Sequence, residues 1–240
     1  AKAAGGERDA PPDAQIESLE HRADENAPCS QHLAGEHSVF ARYAVLCTNG
    51  YDNLAIEGID SSIMKNTHGV VGFMIGCLDE VENEPVASAY FDSRWHDPDD
   101  GYYYLSSRAY TDTDGSKRTL ICVGGQDQNL TEEERRCYDS IGGKEEHYSR
   151  IESFYWDTIV GLPQCRGPDF TWSGLMGYTQ NKIRLIGPDP AEPSLIYNLG
   201  CNGIGILPAI YGGERVAGLL ADEKLAPSMF DPNLLLRRAP

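Results

Sequence analysis

The sequence predicts a mixed chain, part α/β and part α+β, in which an antiparallel β-sheet carrying helices is inserted into a partial α/β frame. Three observations predict it. Four β-rich runs follow one another through the middle: HGVVGFMIGCLDE at 68–80, PVASAYFDS at 85–93, GYYYLSSRAY at 101–110 and RTLICVGGQD at 118–127. Short apolar runs flank that middle, around YAVLC at 43–47 and SLIYNLG at 194–200, and read as buried strands. The segment NLGCNGIGILPAIYGGERVAGLL at 198–220 then passes from a strand end through clustered glycines into a helix. The frame is therefore 1–60 with 168–240, and the insert is 61–167.

The elements follow in order. Residues 1–15 are small, polar and rich in Pro and Gly, and read as a loop or frayed end. QIESLEHR fits a short strand or a helical turn, and Glu25 to Ser38 reads as loop. The run ending in Cys47 is a buried strand stopped by a tight turn at Asn49-Gly50. TDTDGSK joins two strands of the middle sheet as a hairpin. TEEERRCYDSI opens a helix with a capping box between Thr131 and Glu134. KEEHYSRIESFYWDTI is a second helix, with His147, Ile151, Phe154 and Ile159 near helical spacing and Pro163 past its end. DFTWSGLMGYT and KIRLIG are strands, and GPDPAEP is a turn. The last helix carries an apolar stripe through Ile206, Leu207, Ile210, Ala217, Leu220 and Ala221, with Pro208 tolerated in its first turn.

Charge and cysteines narrow the function. A net charge of -17 on 240 residues repels phosphate backbones and anionic lipid, which argues against nucleic-acid and membrane partners. No apolar run reaches the ~18 residues of a membrane helix. The seven cysteines are odd in number, widely spaced and without a CxxC, which predicts free, mostly buried thiols in a reducing, cytoplasmic setting. Cys29, His32 and His37 lack a fourth ligand at standard spacing, so no metal site is predicted. WHDPDDGYYY reads as a solvated turn, and Tyr102 to Tyr104 with Trp95 as sheet packing.

The glycines at 200, 203, 205, 212 and 213 raise a sharper question. A dinucleotide fingerprint would need a small residue where Pro208 stands, so Gly203-Ile204-Gly205 does not open one. Two readings remain: the glycines let a flat ligand approach a helix N-terminus, or they pack the helix on a sheet. Both hold if Gly200 to Gly205 face a ligand and Gly212-Gly213 face protein.

ARYAVLCTNGY, YYYLSSRAYTDTDGSKRTLICVGGQD, WSGLMGYTQNKIRLIGPDP and IYNLGCNGIGILPAIYGGERVAGLL stand in the order of the D-amino acid oxidase superfamily of FAD-dependent oxidoreductases. The chain resembles that superfamily, glycine and sarcosine oxidases included. The resemblance implies a flavin frame, 1–60 and 168–240, around a substrate-binding insert, 61–167. It implies FAD as cofactor, and oxidation of a C–N bond in a small amine or amino acid by hydride transfer to the flavin. Thr48, Asn49 and Gly50, with Gly200, Cys201, Asn202, Gly203, Ile204 and Gly205, would line the isoalloxazine. Tyr104, Met176 and Tyr178 would face the substrate, and no side chain stands out as a catalytic acid or base.

Two departures accompany the resemblance. The N-terminal GxGxxG unit of the superfamily is not in this sequence, which resembles the later part of such a protein. Met176 stands where glycine-oxidase-type members hold the substrate carboxylate with arginine, and Arg184 lies further along. The rival expectation is a truncated remnant or partner-binding module that does not bind FAD by itself. An incomplete frame would leave a free sheet edge and an apolar face, and so predicts homo-oligomers.

Overall fold

The computed structural model describes residues 16–21, 29–33, 37–50, 55–57, 66–79, 88–92, 102–131, 133–134, 143–161 and 166–236. The chain forms two compact units, residues 1–69 with 176–240, and residues 70–175.

The first unit holds two sheets. Strands β1 (Ile16–His21), β2 (Cys29–Leu33), β3 (His37–Ala41) and β5 (Ala55–Glu57) form one, in the order β3-β2-β1-β5. Strands β2 and β3 correct the loop expected from Glu25 to Ser38. Their polar residues carry no clear period-two signal, and pairing along β1–β2–β3 supplies what local sequence does not. The strand alternative for QIESLEHR is the one adopted. The second sheet has β4 (Ala44–Leu46) parallel to β12 (Leu195–Leu199), with β11 (Leu185–Pro188) antiparallel on the far side. Leu19, Ala44, Leu46, Leu185, Leu195, Tyr197 and Leu199 make one core, which explains the near-continuous apolar runs. Buried Asp189 closes the turn after β11: its carboxylate accepts N–H bonds from Ala191 and Glu192 and the Tyr197 hydroxyl proton at 2.7 Å.

The five-stranded sheet runs β10-β6-β9-β8-β7, from β6 (Thr67–Asp79), β7 (Ala89–Asp92), β8 (Tyr102–Thr111), β9 (Lys117–Asn129) and β10 (Phe170–Thr179). The four expected strands form one antiparallel sheet, but only β7–β8–β9 meander: β6 pairs with β9 rather than with its chain neighbour β7. The β8–β9 hairpin turns through Asp112–Ser116 with Gly115 at φ +83°. Helix α1 (Lys144–Phe154) continues as a π-helical turn, Tyr155–Val160. Ile151, Tyr155 and Trp156 join Val71, Phe73, Ile75, Tyr103, Val123 and Leu175 in the core of this unit. The Thr131 capping box forms, with the Glu134 carboxylate accepting the Thr131 N–H at 2.8 Å. Most of the helix it opens, the segment at 95–101 and the side chains of Cys29, His32 and His37 lie outside the described residues.

Helix α2 (Ile206–Leu220) forms over the predicted residues, but its stripe is not its buried face. Ile206, Leu207 and Ile210 are exposed, whereas Gly212, Val216 and Gly218 are buried. Periodicity identified the helix; it did not identify which side the sheet would take, because glycines contribute nothing to an apolar stripe yet permit the closest approach.

Candidate functional site

The parallel pair β4–β12 brings two chain turns together at its C-terminal end. After β4 the chain turns through Cys47, Thr48, Asn49 and Gly50, with Asn49 in the left-handed region at φ +56°. After β12 it turns through Gly200, Cys201, Asn202 and Gly203 before α2 begins, and Gly200, Asn202 and Gly203 all have positive φ. The Asn49 side-chain oxygen accepts the Cys201 N–H at 3.2 Å, tying the turns together.

The end of β10 completes the frame. Asn202 donates its N–H to Gly177 O at 3.0 Å, and its side-chain oxygen accepts the Thr179 N–H at 2.9 Å. A Cβ on Gly177 would lie 2.6 Å from the Asn49 carbonyl carbon and oxygen, so strand and turn touch through backbone. Thr48, Asn49 and Gly50 therefore gather with 200–205 and Tyr178, whose hydroxyl is 2.8 Å from where a Gly203 Cβ would sit. Met176, half-buried, begins the same stretch of β10; Tyr104 belongs to β8 in the other unit.

The glycines turn mostly toward protein. Cβ atoms would meet Thr179 at Gly200, the Cys201 Cβ at Gly205, and the Asn198 side chain at Gly212, while Gly213 faces open space. Expecting Gly212 and Gly213 to serve alike is thus half right. What remains for a ligand is backbone. Helix α2 starts with no side-chain cap and no acidic residue in its first turn. Its first N–H groups and the positive end of its dipole are uncompensated, and Gly203, Ile204, Ile206 and Leu207 beside them are exposed.

Arg184 reinforces that positive end, and sequence reading underrated it. It is 7% exposed, and its guanidinium donates to the Asn198 side-chain oxygen at 3.0 and 3.3 Å. No carboxylate pairs with it among the described residues. Burial holds its pKa below the ordinary arginine value, opposed by the nearby Cys201 and Cys47 sulfurs. Asn198 in turn donates to Ala209 O in the first turn of α2 at 3.3 Å. An arginine and an asparagine inside apolar strand runs were the available signal. The thiols of Cys47, Cys77, Cys122 and Cys201 are free, Cys77 and Cys122 buried and Cys47 exposed. Burial pushes the Cys77 thiol up to about 11, which makes it unreactive.

Comparison with known proteins identifies the family and the fold. A family model described as "DAO: FAD dependent oxidoreductase" matches residues 13–219. Among solved structures, the chain is similar to glycine oxidase from Geobacillus kaustophilus, with TM-score 0.56 and 17% identity over 91% of this chain and 51% of that one. It is similar to fructosyl amine:oxygen oxidoreductase (Amadoriase I) from Aspergillus fumigatus, with TM-score 0.59 and 15% identity over 93% and 50%. A third is the dithionite-reduced L-α-glycerophosphate oxidase from Mycoplasma pneumoniae with FAD bound, with TM-score 0.59 and 10% identity over 90% and 52%. The chain thus spans about half the length of these proteins. No curated protein matches it. With the family model covering most of its length, the chain belongs to the D-amino acid oxidase family of FAD-dependent oxidoreductases.

Proposed function

We propose that this chain supplies the flavin-edge and substrate-side parts of an FAD-dependent oxidoreductase that oxidises a C–N bond of a small amine or amino acid. The observation that carries the reading is the uncapped, acid-free N-terminus of α2, open beside a glycine loop whose own packing is already satisfied. Residues Thr48 to Gly50 and Gly200 to Gly205 would hold the isoalloxazine, with Met176 and Tyr178 of the same unit toward the substrate. The residues fit that group: the exposed face offers backbone N–H donors, a helix dipole and, behind them, the Arg184 charge. Bound FAD would supply the electron sink, accepting a hydride from the carbon beside nitrogen. The chain's own contribution is to orient the ring and to stabilise negative charge near its pyrimidine edge. The unit 1–69 with 176–240 is the flavin frame in this reading, and 70–175 the substrate unit. The free thiols support a reducing, cytoplasmic setting.

The test is anaerobic mixing of the FAD-loaded protein with matched panels of small amines, amino acids and hydroxy acids. Bleaching of the flavin's visible band by amines or amino acids, and not by hydroxy acids, is the expected result. Bleaching by hydroxy acids alone would transfer the reading to C–O oxidation.

One observation favours a second reading. Ile204, Ile206, Leu207 and Ile210 present an exposed apolar face on and before α2, which suits a module that docks a partner or a second copy and binds no FAD alone. Light scattering separates the two: a monomer that retains flavin supports the first, and a flavin-free oligomer the second.

A further inference from the structure

The outer face of the five-stranded sheet, opposite the α1 core, carries a row of tyrosines. Along β8, Tyr103 points into the core, so Tyr102 and Tyr104 share the other face. Tyr90 pairs with Tyr104 across β7–β8 and joins them. Ring centroids are 5.4 Å apart for Tyr90 and Tyr102 and 6.1 Å for Tyr102 and Tyr104, with interplanar angles of 19° and 26°. Gly124 makes room for the row: the phenol end of the Tyr104 ring occupies the space a Cβ there would take.

A β-bulge adds a carboxylate. Pairing of β6 with β9 passes from Val71–Gln128 to Phe73–Gly125, so two residues of β9 oppose one of β6. The extra residue reverses the alternation and brings Asp127 to the tyrosine face, where it accepts the Tyr102 hydroxyl proton at 2.5 Å. No cation pairs with Asp127 among the described residues. Arg108, further along β8, donates instead to the Cys122 sulfur at 3.5 Å, and Asp92 pairs with Tyr102 across β7–β8. Burial raises the Asp127 pKa, the cost of a half-buried carboxylate without a counter-charge. Aromatic faces and an unpaired carboxylate both attract a desolvated cation, and together they repel a carboxylate.

We propose that Tyr90, Tyr102, Tyr104 and Asp127 form a subsite for an alkylammonium group. Resting on the function proposed above, this makes the substrate a cationic amine recognised by its positive charge. The subsite lies within one unit and is measurable without flavin.

The experiment titrates the full chain with tetramethylammonium chloride and, separately, with its neutral isostere 3,3-dimethyl-1-butanol, read by the ring-current shift of the ligand methyl protons. Saturable binding of the cation alone is expected, weakened about tenfold in Asp127→Asn, which keeps the acceptor for Tyr102. Tyr104→Leu, checked for folding by circular dichroism, should weaken it comparably. No saturable shift, equal binding of both isosteres, or an unchanged Asp127→Asn would overturn the subsite. Cation binding in a protein whose flavin no amine reduces supports the subsite and counts against the oxidoreductase reading alone. Amine oxidation with no cation binding does the reverse.

Discussion

Two adjacent glycines in α2 should respond in opposite directions to the same change. Gly213 is exposed, and a Cβ there meets nothing within 4 Å. Gly213→Ala removes the helix-interior penalty of glycine and should stabilise by about 0.5–1 kcal/mol. At this chain length that is roughly 2–4 °C per kcal/mol in Tm. Gly212 is buried, and its Cβ would lie 2.7 Å from Asn198 Cγ and closer still to the side-chain oxygen. That oxygen accepts from buried Arg184, and the same amide donates to Ala209 O. Displacing it costs about 1–3 kcal/mol in overpacking, plus ~1 kcal/mol for each hydrogen bond weakened. The helix gain offsets only part, so Gly212→Ala should destabilise by about 1–3 kcal/mol net. Urea unfolding followed by circular dichroism reads both. Midpoints that move the same way would refute the packing of α2 against Asn198.

Further outcomes follow from the same geometry. Tyr197→Phe leaves the buried Asp189 carboxylate short of a donor and should cost about 1–3 kcal/mol, read as a lower urea midpoint. His147 stacks on Phe73 at 4.1 Å, and burial holds its pKa below the usual histidine value, with Arg150 adding to and Glu146 opposing the shift. The unfolded state then binds more protons between the folded and unfolded pKa, so stability falls as pH drops below about 6.5; His147→Phe should flatten that slope in Tm against pH. Gly203 has φ +81° and faces the Tyr178 hydroxyl, so Gly203→Leu should remove flavin binding, seen as free FAD in the filtrate after ultrafiltration.

What sequence could reveal followed the strength of the local signal. Buried strands announce themselves, so β4, β12 and the strands β6 to β9 were legible from apolar runs and turn residues, though the place of β6 beside β9 was not. Strands β2 and β3 were not, because polar residues in register with β1 depend on long-range pairing. The glycine loop was legible as a strand-to-helix junction. The roles of its glycines did not show, since the partners that need the space, Thr179, Cys201 and Asn198, are scattered along the chain. Arg184 falls in KIRLIG, a run that reads as a strand. Its importance depends on being buried with no carboxylate partner among the described residues, which only three-dimensional structure can reveal. Asp127 owes its placement to a bulge that alternation rules would have put on the wrong face.

The visible absorption spectrum of the purified chain, with and without added FAD, tests the central claim most directly. The account predicts a protein-bound flavin spectrum, shifted and structured relative to free FAD, that survives desalting and is absent in Gly203→Leu. A chain that circular dichroism shows to be folded, yet whose added FAD elutes entirely free, would contradict it.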